Sequence, residues 1–238
     1  MRRLTAGFRR ASPSEPRLGG VVKAGLVALL IGVTIIGGLV SRDQWIAYKA
    51  ESFLRERIRL DSVDAAAVAR IEAFGRDCVM ACGSRVDIAR AAALVVRGQR
   101  ETDPGIRRAV LNQSVTQLSD IARQDPALAE VWIWWTRARI LTGEGDALQM
   151  LERSYRVKPF DRTHALWRIS VVNDRWADAS PGLRVKTLDE AFWYGSVFPP
   201  FARNVTAVVS NPSARLALTL RRKSRVGHDQ SPERTPIP

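Results

Sequence analysis

Two cysteines and two histidines among 238 residues leave little from which to build a metal centre or a redox site. The histidines, His164 and His228, lie far along the chain from Cys78 and Cys82, and a C-x3-C pair lacks the C-x2-C spacing of zinc sites and thiol oxidoreductases. A phosphate-cradling P-loop, a dinucleotide fingerprint, H-E-x-x-H and a G-x-S-x-G nucleophile elbow are all missing. Carboxylates do not converge either: Asp189 and Glu190 are sequence neighbours, which on a helix do not face each other. The expectation is a non-enzymatic protein with no cofactor and no metal. Strand signals are scarce as well, since no Asn-Gly turn separates alternating apolar runs. Acids are in short supply, 24 Asp and Glu against 37 Lys and Arg, for a net charge of +13. Much of that excess sits at the ends: residues 1–23 hold six bases and one acid, and residues 221–238 hold five bases and two acids. The centre is then a mixed, mildly basic surface. No helix interleaves clustered bases with stacking aromatics, so nucleic acid is not an expected partner.

Charge is absent altogether from Ala24 to Ser41, AGLVALLIGVTIIGGLVS, which Lys23 and Arg42 bound. As a helix this stretch is about 27 Å long, close to the hydrocarbon thickness of a bilayer. It reads as an uncleaved transmembrane anchor. The rival, a cleaved signal peptide, would have a shorter apolar core and small residues at a cleavage site, which GGLVSRDQW lacks. Arg2, Arg3, Arg9, Arg10, Arg17 and Lys23 precede the span, whereas Arg42, Lys49, Arg55, Arg57 and Arg59 follow it. The count favours the short leading tail only slightly, but that tail orients a first span and long following domains translocate regardless of charge. The N-terminus is therefore expected in the cytoplasm and the bulk of the chain on the outer side of the cytoplasmic (inner) membrane, in the periplasm or its equivalent. Trp45 and Tyr48, just past the exit, suit the headgroup layer. Ala24, Ala28 and Gly32 form a small-residue stripe through which two spans could pair as a homodimer. In an exported domain Cys78 and Cys82 could form a disulfide, with two free thiols as the other reading.

Beyond the span the punctuation is helical. Asp103-Pro104, Asp125-Pro126, Ser180-Pro181 and Asn211-Pro212 each offer a capping side chain followed by a proline, which loses no hydrogen bond in a first turn. The pattern predicts helices over about 43–59, 62–74, 85–99, 104–124, 127–142, 145–157, 161–177, 181–195, 200–209 and 212–222. The fold class is all-α: one N-terminal transmembrane helix followed by antiparallel helix hairpins. The organisation is a basic cytoplasmic tail (1–23), the span (24–41), a juxtamembrane helix (42–60), a helical domain (61–220) and a basic tail (221–238) too poor in apolar residues to fold.

One stretch carries a family resemblance. AEVWIWWTRARILTGEGDALQMLERSYRVKP puts Trp132, Trp135, Thr136 and Arg139 at the W-x2-L-G-x2-Y spacing, Ala147 and Leu151 at the A-x3-F spacing, and Pro159 at the close. It resembles a tetratricopeptide (TPR) repeat, with Trp for Leu, Thr for Gly and Arg for Tyr, and one deletion in the loop. VLNQSVTQLSDIARQDP before it and THALWRISVVNDRWADASPGLRVKTLDEAFWYGSV after it resemble neighbouring units more loosely. The whole layout, and GDALQMLERSYRVKPFDRTHALWRIS behind a Trp-rich helix, also resembles small bacterial envelope proteins associated with exopolysaccharide or O-antigen assembly.

The resemblance implies a TPR-like domain whose concave groove carries Ile133, Arg137, Ile140 and Leu141, with core packing as the other reading of Ile140 and Leu141. Trp132 and Trp135 belong to the core, and Trp134 is either exposed or packed with them. Apolar residues with Arg are types that anchor protein interfaces. The expected function is a membrane-tethered scaffold or adaptor. It would bind a membrane protein or envelope assembly protein at the outer face of the membrane, in envelope polysaccharide assembly or export. The alternative is direct binding of an anionic lipid or acidic glycan by a basic, Trp-containing surface.

Overall fold

The computed structural model describes residues 18–79, 82–143 and 145–229. Among these the chain is all helical, with ten α-helices, one short 3-10 turn and no strand. The first helix, α1 (Leu18–Arg59), is a single rod of 42 residues, about 63 Å long. The juxtamembrane helix expected over 42–60 is therefore not a separate element. Nothing in SRDQW breaks a helix, and the carboxylate of Asp43, instead of capping a new start, accepts the Val79 N–H at 3.1 Å.

The two halves of α1 have opposite surroundings. The large apolar side chains from Val22 to Val40, Leu39 apart, are exposed at 45–65%. That half is long and apolar enough to cross a membrane. Past Arg42 the helix becomes amphipathic, and Ile46, Ala47, Ala50 and Leu54 are buried on one stripe.

α2 (Ala65–Arg76) starts at Asp64, which accepts the Ala67 N–H at 2.7 Å. α3 (Ser84–Arg100) is the central helix, and its small residues Ala91, Ala92 and Ala93 let α1, α2, α4 and α5 all pack against it. It runs alongside the second half of α1 in the same direction: Arg85 pairs with Glu51 at 2.8 Å near its start, and Arg100 pairs with Asp61 at its end. α4 (Pro104–Gln124) returns, capped by Asp103, which accepts the Ile106 N–H at 2.8 Å. Ser114 donates to the carbonyl of Ala91 at 3.0 Å, a measure of how closely α3 and α4 approach.

The Asp125-Pro126 pair does not start a helix. Asp125 ends α4, the Pro126 carbonyl accepts the indole N–H of Trp132 at 2.9 Å, and α5 (Ala129–Thr142) begins three residues later. Gly143, at φ 79°, ends α5 in the left-handed conformation that glycine adopts without strain, and α6 (Ala147–Val157) packs back on α5. α7 (Ala165–Asp174) is shorter than the expected 161–177, because a polar turn occupies residues 161–164. α8 (Pro181–Val197), the 3-10 turn Pro199–Phe201, α9 (Ala202–Val208) and α10 (Pro212–Asp229) complete the chain.

α10 continues through residues 221–229, where an unfolded tail is expected from composition. Arg221 pairs with Asp189 of α8 and holds the helix at that point, and no proline interrupts it before residue 232. Residues 1–17 and 230–238 of the two basic tails lie outside the described residues. The core is in three clusters: α1 to α5 with Met150, α7 to α10, and a small one at Leu151, Tyr155, Val172 and Leu183.

Candidate functional site

The five residues expected on a partner-binding groove do not share a surface. Ile133 is fully buried and Trp134 is 9% exposed. α5 is buried on both sides, with Val131 to Trp134 in the core consecutively. α3, α4 and α6 all pack against α5, and Leu54 and Ile58 of α1 share a small cleft with Trp134. A single-helix pattern cannot register a cover supplied by helices elsewhere in the chain. Trp135, expected in the core, is only half-buried and stacks on Trp132 with centroids 5.5 Å apart.

Arg137 lies between two indoles, its guanidinium carbon 4.6 Å from the Trp134 ring and 4.4 Å from that of Trp167 on α7. Burial pushes its pKa down to about 10, so it remains a cation at neutral pH. It joins α5 to α7 as a cation–π filling. Ile140 and Leu141 are half-buried at the far end of α5. Leu141 and Thr142 face Arg107, Arg108 and Asn112 of α4 across an open cavity of about 500 Å³. Of the expected set, only Leu141 lines a cavity with room for a partner, and its neighbours there are two arginines the sequence did not single out.

A smaller cleft, about 120 Å³, separates α1, α3 and α5 from the turn before α7. Leu54, Ile88, Ala92 and Trp134 form its floor, with Glu51, Arg55, Arg85, Glu130 and His164 at the rim. His164 hydrogen-bonds through Nδ1 to Asp161 Oδ2 at 3.0 Å. Burial alone would raise the pKa of Asp161, but His164, the Thr163 N–H and Lys158 outweigh it and hold the carboxyl well below the usual carboxylate range.

Behind Asp161 lies the most buried polar cluster described. Arg168 on α7 and Glu190 on α8 are both fully buried and pair through two nitrogens, with Nε 3.0 Å from Oε2. Arg168 also donates to the carbonyl of Lys158 at 2.9 Å, and Glu190 accepts the Asp161 N–H at 2.9 Å. Tyr155 of α6 covers the guanidinium with its ring at 4.1 Å. Arg168, Glu190, the Asp161 N–H and the Lys158 carbonyl satisfy one another, so the cluster acts as an internal staple joining α6, the turn, α7 and α8. The sequence reading passed over it. A signal was there: Arg168 and Glu190 each interrupt an apolar stripe, among Ala165, Ile169 and Val172 and among Leu183, Ala191 and Tyr194, as a buried ion pair requires.

Cys78 and Cys82 are bonded to each other. The Asp43 carboxylate and the two sulfurs lie within 4.8 Å of one another, but bonded sulfurs offer no thiolate to a metal. Comparison of the chain with protein-family models, curated proteins and solved structures yields no match in any of the three.

Proposed function

We propose that the protein is a membrane-tethered helical scaffold that holds a TPR-like domain at the outer face of the cytoplasmic membrane and binds a protein partner there. The observation that carries this reading is the continuity of α1, which is an exposed apolar rod over 24–41 and a core helix from Ile46 to Leu54. An anchor built into the core keeps the domain at the membrane, and a partner restricted to the same surface gains effective concentration, so individual contacts can be weak.

The TPR-like reading is supported by α5 and α6, where Trp132 stacks on Trp135, Ala138 and Ala147 are fully buried, and Pro159 follows the second helix. The proposed partner site moves from the expected groove to the cavity at the far ends of α4 and α5. There Ile106 is 47% exposed beside Arg107 and Arg108, and Leu141 supplies an apolar wall. A partner for this site presents acidic and apolar side chains together. Envelope polysaccharide assembly or export as the process rests on the resemblance of residues 145–170 described above. Pairing of two spans through Ala24, Ala28 and Gly32 would make the scaffold bivalent.

Capture of the tagged full-length chain from membranes in mild detergent tests the site. A protein partner should be recovered with the native chain and lost with the Arg107→Glu/Arg108→Glu variant. Recovery of no protein, together with salt-sensitive retention of an acidic glycan by the same arginines, would replace this reading with direct glycan binding.

A further inference from the structure

The disulfide lies at a height along α1 that has a physical consequence. Ser41 is the last residue of the charge-free span, and Asp43 is two residues on, about 3 Å farther along the helix axis. The headgroup layer on each side of the hydrocarbon is about 5–7 Å deep, so a helix that crosses at 24–41 places Asp43 within it. Asp43 is 1% exposed. Its carboxylate accepts the N–H of Val79 at 3.1 Å, and its carbonyl oxygen lies 3.5 Å from the sulfur of Cys82.

Three further observations agree on that height. Leu39, one turn before Asp43 on the same face, is partly covered although the other large side chains of the span are open. On the remaining faces of α1, Trp45 and Tyr48 are each 56% exposed, the placement that headgroup-level aromatics take. Val79 is 56% exposed, and Arg76 and Asp77 just before it in the chain and Arg42 next to Asp43 are exposed as well.

We propose that Cys78 and Val79 form a second membrane contact, seated in the lipid headgroup layer beside the exit of α1, with Val79 facing the acyl boundary and Cys82, buried against Asp43, holding them there. The domain then rests on its own bilayer at two places rather than hanging from one. The disulfide keeps this contact compact, and Arg42 and Arg76 suit anionic headgroups. The proposal rests on the reading that residues 24–41 cross a bilayer.

The test uses the full-length chain in vesicles of phosphatidylethanolamine and phosphatidylglycerol. A diazirine-bearing amino acid replaces Val79, Leu30 or Ile106, one at a time, and lipid adducts are measured by mass spectrometry after illumination. All three positions are exposed, so packing is unaffected. Ile106 lies fifteen residues along α4 from Ile121, which lines a cavity with the two cysteines, about 22 Å farther from the membrane. The expected result is strong labelling at 30 and, at 79, roughly tenfold more lipid adduct than at 106, because only the former two reach lipid. Labelling at 30 with position 79 no better than 106 would leave the span intact and overturn the headgroup contact. No labelling at 30 would remove the span itself and the contact with it.

Discussion

Arg168 and Glu190 are both fully buried, and each satisfies the other. Breaking such a pair leaves an uncompensated buried charge, so Glu190→Gln is expected to destabilise by about 3–5 kcal/mol, measured by urea unfolding in detergent at neutral pH. Asp161, next to it, behaves differently with pH. Its folded-state pKa lies below its unfolded one. The stabilisation is therefore present above the ordinary carboxylate range, around pH 4, and is lost as pH falls from there toward the folded value. Asp161→Asn should cost about 2 kcal/mol at neutral pH and progressively less below about pH 4. An equal loss at both pH values would show that Asp161 contributes shape and not charge.

Among the elements, α3 and α4 approach closely at Gly98. A methyl group on Gly98 would come within 2.7 Å of the side chain of Leu111, which is 1% exposed and must shift toward the cavity it borders at the ends of α4 and α5. Gly98→Ala should therefore lower stability by about 1–3 kcal/mol despite the higher helix propensity of alanine, a shift that thermal unfolding followed by circular dichroism would register. No change would mean that Leu111 has a second rotamer open to it. The elements themselves were largely legible. Capping pairs at Asp103-Pro104 and Ser180-Pro181 mark true helix starts, with the cap hydrogen bonds made to Ile106 and Leu183. Asp125-Pro126 misleads because the Trp132 indole, several residues on, takes the Pro126 carbonyl and holds the segment as a turn. The partner face was not legible at all. Ile133 and Trp134 look free from the α5 pattern, yet both are buried among the helices packed on α5, and which distant helix covers a face is decided by tertiary packing that a local period cannot encode. The Cys78–Cys82 bond was one of two open readings, and nothing local in FGRDCVMACGS signals the contact with Asp43.

At the scale of the whole molecule, sidedness is the first question. Alkaline phosphatase fused after residue 60 of the chain should be active, placing the helical domain outside, whereas an inactive fusion with an active cytoplasmic reporter at the same point would invert the topology. Because α1 continues from its apolar half into the core without a joint, the proposed span and the domain would lean together. A membrane thinner than the span is met by tilting the helix, commonly by about 20°. The Arg107–Arg108 end of the domain, some 25 Å above the exit, would then swing sideways by roughly 10 Å. Under the proposed anchoring, bilayer thickness would become an input to where the Arg107–Arg108 end is presented, with the helix as the lever.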